Sequence, residues 1–274
     1  MGNDVDLEGE FTRDDIAALA ARGAIGKLSI TKRKTPFAEP VASALRELAS
    51  VEDFWLWCDV SRDAMTHALA LPGLRELNVL LVREPGQTGG AAAAGNLRVL
   101  RVNLGLSEAD LVEIAHCPAL AELGAQSCQL TMRALDALLA MPTLESLDIE
   151  DTPFDDAMAA QVAHSTTLHT LDCGNTKLTG KGLAALCRMP QLRSLDLWAT
   201  HVALQDLDRL VDLPNLDYLS LGHPVENKAP RIDGVMALLD RLPTLRRIWL
   251  DGIALDDATR KTLEARYTYV RITT

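Results

Sequence analysis

The chain has no long apolar run: none of its 274 residues fall in the roughly 20-residue stretch that a membrane-spanning helix needs, so no membrane partner is expected. It also lacks basic excess. Against 38 Asp and Glu stand 27 Lys and Arg, a formal charge of −11, and no basic stripe tracks a phosphate backbone, so nucleic acid is excluded as a natural partner. Cysteine is scarce: Cys58, Cys117, Cys128, Cys173 and Cys187 are an odd set with no paired spacing, which argues against a disulfide framework and a zinc site. The opening Met-Gly-Asn-Asp-Val-Asp is acidic and has no apolar core of a secretory signal, so a cytoplasmic location is expected, without excluding secretion by another route. Enzyme signatures are missing as well. HExxH, the P-loop and G-x-S-x-G do not occur, and the histidines are scattered. Cys58 is a thiol without a placed base in an acidic neighbourhood, a poor setting for a nucleophile. The sequence therefore predicts neither enzyme nor cofactor.

What is present is a repeat. Segments beginning at Leu120, Leu144, Leu168, Leu192 and Leu216 recur at an interval of 24 residues. The first four follow L-x-x-L-x-[LIAC]-x-x-[CT]-x-[LVF]: Leu144-Leu147-Ile149-Thr152-Phe154 is one copy and Leu192-Leu195-Leu197-Thr200-Val202 another. The motif extends outward through Leu97, Leu74 and Val51 at a spacing of 23, and forward to Leu245 after 29. A fixed period of this length marks a solenoid, in which each unit buries its apolar face only against its neighbours. The alternating part of each copy has the period of a short strand, and the segments between have helical spacing. Ser61, Ser107, Thr131, Thr179 and Asp233 are positioned as N-caps. Pro72, Pro118, Pro142, Pro190, Pro214 and Pro243 each precede the next repeat by two residues, where proline stops a helix and extends the chain.

The expected organisation has three parts: capping helices and an incomplete first repeat (Ile25-Leu28-Ile30) over 1–50, about nine repeats over 51–255, and a C-terminal cap over 256–274. Solenoids need such ends to cover their exposed core. Two stretches, 84–96 and 223–231, break the pattern and read as loops.

These motifs resemble the leucine-rich repeat family, and the outer segment Leu178-Thr-Gly-Lys-Gly-Leu-Ala-Ala-Leu is similar to the bacterial 23–24-residue type that includes GALA-like repeats. The resemblance implies an α/β horseshoe with parallel strands on the concave face and short helices on the convex one. It also implies a protein-binding module. Cys128, Thr152, Thr176 and Thr200 stand where the family usually has an asparagine ladder; their side chains can still bond the turn backbone. The F-box that accompanies some GALA-type proteins has no counterpart in the first 50 residues.

The odd spacers of each copy point away from the core. They place Asp53, Trp55, Trp57, Glu76, Arg101, Glu122, Asp148, Glu150, Asp172, Asp196, Trp198, Tyr218, Arg247, Trp249 and Asp251 on the concave face, and these are the candidate partner-binding residues. All four tryptophans of the chain are among them, and exposed aromatics flanked by charge are typical of interface hot spots. For Trp55 and Trp57, packing under the N-terminal cap or against each other is the competing reading. Asp148, Asp172 and Asp196 stack at 24-residue intervals, about 5 Å apart if the strands are neighbours, and a basic protein would relieve their repulsion. Asp after the second leucine is also common in this family for its own sake. The expected function is non-enzymatic binding of another protein, a basic one in particular. Two settings are open: an immunity or inhibitor protein neutralising a basic toxin, and a secreted bacterial effector engaging a host protein. Metal is not expected, because flat strands rarely enclose a cation.

Overall fold

Leucines at positions one, four and six of each repeat form a stripe that only a parallel stack of strands can bury, and the chain folds accordingly. The computed structural model describes residues 3–83, 89–222, 232–253 and 255–273. The loop expected over 223–231 and the first part of that over 84–96 lie outside the described residues. The chain divides into two compact units, Met1–Leu144 and Glu145–Thr274.

In the first unit six strands pair in parallel and in chain order: β1 (Val5–Glu8), β2 (Ala24–Thr31), β3 (Ser50–Val60), β4 (Glu76–Val82), β5 (Val99–Leu104) and β6 (Glu122–Ala125). Helices α1 (Arg13–Ala17), α2 (Arg62–Leu69), α3 (Glu108–Ile114) and α4 (Met132–Leu139) connect them. The opening amphipathic segment is shorter as an α-helix than its pattern suggests. The Thr12–Asp15 capping box starts α1, and the chain then tightens into a 3-10 turn over Ala18–Arg22 that ends at Gly23, φ 72°. β1 carries no recognisable repeat motif and was not expected. Ala91–Ala93, in the stretch read as lacking a helix, forms only a single 3-10 turn.

The second unit repeats the plan with β7 (Ser146–Asp148), β8 (Thr170–Asp172), β9 (Ser194–Asp196), β10 (Tyr218–Leu221), β11 (Arg247–Asp251) and β12 (Tyr269–Thr273), again parallel and consecutive. Its helices are α5 (Asp156–Val162), α6 (Gly180–Leu186), α7 (Ile232–Leu239) and α8 (Asp257–Arg266), with 3-10 turns over Leu204–Asp212. The core lies between the two layers: Leu147, Leu171, Leu195, Leu219 and Ile248 from the strands meet Val162, Leu183, Leu186 and Leu210 from the other side, all fully or almost fully buried. Stacked like this, each leucine removes apolar surface worth about 2–3 kcal/mol from water.

Ser61, Ser107, Thr131 and Thr179 cap their helices as expected, each accepting a backbone N–H with its hydroxyl. The cap expected of Asp233, at the start of α7, lies outside the described side chains. The turns after the strands explain the missing asparagine ladder. Thr152, Thr176 and Thr200 are buried, and their hydroxyls donate to the carbonyls of Ile149 (2.8 Å), Cys173 (2.7 Å) and Leu197 (2.9 Å). Each follows a residue of positive φ, namely Asp151, Asn175 and Ala199. The hydroxyl thus closes a turn that reverses the chain away from the sheet.

Candidate functional site

The expected face is built by one rule: between two buried leucines the intervening side chain points away from the core. On β3 this exposes Trp57, 40% accessible, and leaves Trp55 half-buried. Their rings lie 5.8 Å apart, and Lys27 of β2 sits 4.0 Å over the Trp55 ring, so this pair packs on itself and on a neighbouring repeat. Asp53 beside them is held above the usual carboxylate range, by burial first and then by Glu76 and Glu52. Further along the first unit Arg101 joins the predicted acids: its guanidinium reaches Glu76 Oε1 at 2.8 Å and Glu122 Oε1 at 2.6 Å. Two of the face's carboxylates are therefore already matched to a cation.

The second unit differs. Asp148, Asp172 and Asp196 stand in register on β7, β8 and β9. Each has a turn to hold: Oδ1 of Asp148 accepts the Glu150 N–H (3.0 Å), Oδ1 of Asp172 that of Gly174 (3.0 Å), and Oδ1 of Asp196 that of Trp198 (2.7 Å). The reason that aspartate recurs here without any ligand is thus visible. The row nevertheless concentrates charge. Oxygens of Asp148, Glu150 and Asp172 lie within 4.8 Å of one another, and Asp196 is only 7% exposed. Burial, then the charges of Asp196 and Asp148, pushes Asp172 up to about 8. Burial likewise raises Asp196, and burial followed by Asp148 raises Glu150. Among the described residues no Lys or Arg pairs with Asp172 or Asp196. Asp148, Glu150 and Asp172 are also the group whose spacing could hold a cation.

Trp198 flanks this row. It is half-buried, and its indole N–H donates to Asp251 Oδ2 of β11 at 2.6 Å, so the ring crosses the intervening β10. Gly222, just past β10, makes room: a Cβ there would stand 2.1 Å from Trp198 Cδ1. Tyr218 lies on β10, raised to about 12 by burial and then by Asp196, with the Arg247 guanidinium 5.5 Å from its ring. Trp249 is covered on one side by Arg271, 4.4 Å away, and bonds Thr273. The motif could not have announced Lys27, Gly222, Arg271 or Thr273, since these contacts depend on which side chains meet across strands.

Cys58 is 4% exposed, and burial pushes its thiol up to about 11, so it carries its proton at neutral pH. All five cysteines are buried thiols. No described helix is long and apolar enough to cross a membrane.

The architecture, strand and outer segment repeated in parallel order with a leucine core, is the leucine-rich-repeat fold. Among solved structures it is similar to an internalin, InlF, from Listeria monocytogenes, with a TM-score of 0.52 and 14% identity over 95% of this chain and 88% of that one. It also matches actin-binding site 2 of leiomodin-1, with a TM-score of 0.39 and 19% identity over 57% of this chain and 94% of that one. No family model matches the sequence, and no curated protein does.

Proposed function

We propose that the chain is a non-enzymatic protein-binding module that engages a basic segment of a protein partner through the acidic row of its second unit. The observation that carries this reading is the row itself. Three carboxylates, Asp148, Glu150 and Asp172, converge within 4.8 Å, and Asp172 and Asp196 lack a cationic partner among the described residues. Half-buried like charges at that separation repel one another, and a proton, a metal ion or an ammonium or guanidinium group would each relieve them. A side-chain cation is favoured because aromatic groups border the row: Trp198 and Tyr218 offer ring faces to the methylenes of a lysine or to an arginine plane. The partner-binding residues under this reading are Asp148, Glu150, Asp172, Asp196, Trp198 and Tyr218. Arg247, Trp249 and Asp251 of the same unit lie outside the row, and Asp53, Trp55, Trp57, Glu76, Arg101 and Glu122 belong to the first unit.

A fluorescein-labelled hexalysine peptide, followed by anisotropy in buffer containing EDTA, is the test. Asp172→Asn with Asp196→Asn retains both turn hydrogen bonds, because the amide oxygen accepts as the carboxylate does, and leaves neither group able to ionise beside a docked cation. This double variant should weaken binding by about tenfold and flatten its salt dependence. Trp198→Ala should cost more than about 2 kcal/mol, as truncation of an interface anchor does. Binding of hexalysine to the Asn double variant as tightly as to wild type would remove the row from the account.

A further inference from the structure

The acidic row has a neighbour of opposite sign. At the N-terminal ends of β8 to β11, wholly within the second unit, lies a groove of about 550 Å³ lined by His169, Arg193, Asn215, Asp217, Arg246 and Arg247 among others. His169, Arg193, Asp217 and Arg246 each follow the first leucine of their repeat, and the backbone fixes them in a row. The Arg193 N–H donates to the His169 carbonyl (2.8 Å), the Asp217 N–H to that of Arg193 (2.7 Å), and the Arg246 N–H to that of Asp217 (2.9 Å). Arg193 and Arg246 therefore stand two strand spacings apart, about 10 Å. Asp217 is occupied: it accepts from Arg247 Nε at 2.8 Å. Arg193 and Arg246 are exposed, and among the described residues neither has an ion-pair partner. In a chain of net charge −11, this groove concentrates three guanidinium groups against one carboxylate.

We propose that this groove docks an acidic segment of a protein partner, a stretch of Asp and Glu side chains received by Arg193 and Arg246. Arginine suits the task because its planar fork pairs with a carboxylate through two parallel hydrogen bonds. Asn215 borders the groove; its Nδ2 donates one hydrogen to the Pro190 carbonyl at 2.8 Å, and an amide nitrogen carries a second. The chain as a whole repels an acidic peptide, so any such binding must arise from a local feature. The groove lies beside the acidic row on the same strands: Ser194 at its floor and Asp196 in the row are two residues apart on β9, about 7 Å. A partner presenting acidic and basic segments side by side would then be held in one orientation, since reversal would bring like charges together.

The proposal stands on residues other than the acidic row, and its test separates the two. Fluorescein-labelled hexaglutamate is titrated with the full chain at low ionic strength, where exposed charge is least screened. Saturable, salt-sensitive binding is expected, and Arg193→Ala with Arg246→Ala should lose at least about tenfold in affinity, the scale of one or two charge-assisted pairs. Both side chains are exposed, so the fold should persist, and an unchanged circular-dichroism spectrum and melting midpoint of the same variant would show it. Asp172→Asn should leave hexaglutamate binding no weaker. No binding to wild type, or equal binding to the double Ala variant, would overturn the proposal. So would displacement by inorganic phosphate at concentrations where acetate of equal ionic strength is inert, because the groove would then be a phosphate site.

Discussion

At the scale of single residues, the fold is specified by side chains that close turns. Thr176 is 4% exposed, and its hydroxyl donates to the Cys173 carbonyl at 2.7 Å. Thr176→Val keeps the shape and leaves that carbonyl without its donor. The expected loss is about 1–3 kcal/mol, the cost of a buried polar group left unsatisfied, read as a lower urea midpoint at unchanged slope. The sequence made this ladder legible, because Thr recurs at the motif position where a turn-bonding side chain is needed. It did not make Gly222 legible. That glycine matters because the Trp198 ring reaches across β10 to Asp251, and no local pattern records a contact between residues 53 positions apart. The four tryptophans were legible as outward spacers of their strands and not as contacts. Trp57 is open, Trp55 packs against it, and Trp198 and Trp249 bond their own neighbours.

At the scale of elements, consecutive repeats are tied through the starts of their helices. Asp156 of α5 caps the start of α6 in the next repeat: Oδ1 accepts from the Thr179 and Gly182 N–H groups at 2.9 Å each, and Oδ2 from the Thr179 hydroxyl at 2.7 Å. Gly182 is required, since a Cβ there would meet Asp156 Oδ1 at 2.5 Å. Burial alone would raise this carboxyl, but the bonds from Thr179 and Gly182 outweigh it and hold it below its ordinary 3.8. A lowered folded-state value means that the stabilisation is present above pH 3.8 and is lost as pH falls through the folded value. Asp156→Ala should therefore cost about 1–2 kcal/mol near neutral pH, the worth of a cap, and the gap to wild type should close in acid. Thermal melts at pH 7 and at steps below pH 3.8 would show this, and a gap that widens as the solution is acidified would contradict it. The sequence disclosed Thr179 as the cap of α6 but not Asp156, because a cap supplied by the previous repeat leaves no short-range signature. The 3-10 turns at Leu204–Asp212 were equally hidden, since leucines spaced for burial serve a tight turn as well as an α-helix.

At the scale of the molecule, the repeat period alone determined the class of fold, because parallel strands at fixed register are the arrangement that buries every repeated leucine. It placed the acidic row as well, down to the strands that carry it. It could not reveal that Arg101 matches the acids Glu76 and Glu122 of the first unit while, among the described residues, no Lys or Arg pairs with Asp172 or Asp196 of the second, since both sets look alike in a motif. The groove holding Arg193 and Arg246 is hidden in the sequence for a related reason: the residue directly after the first leucine is not one of the outward spacers of the motif. We propose that the acidic row receives a cation carried by a partner. Because burial and its neighbours hold Asp172 protonated up to about pH 8, docking of an ammonium group must ionise it and expel its proton. Calorimetric titration of hexalysine at pH 7, in Hepes and in Tris, measures this directly through the difference in buffer ionisation heat. The account predicts release of on the order of one proton per peptide bound, with affinity rising between pH 6 and pH 8.5, and release abolished by Asp172→Asn. Equal binding enthalpies in the two buffers, or undiminished release from Asp172→Asn, would contradict it.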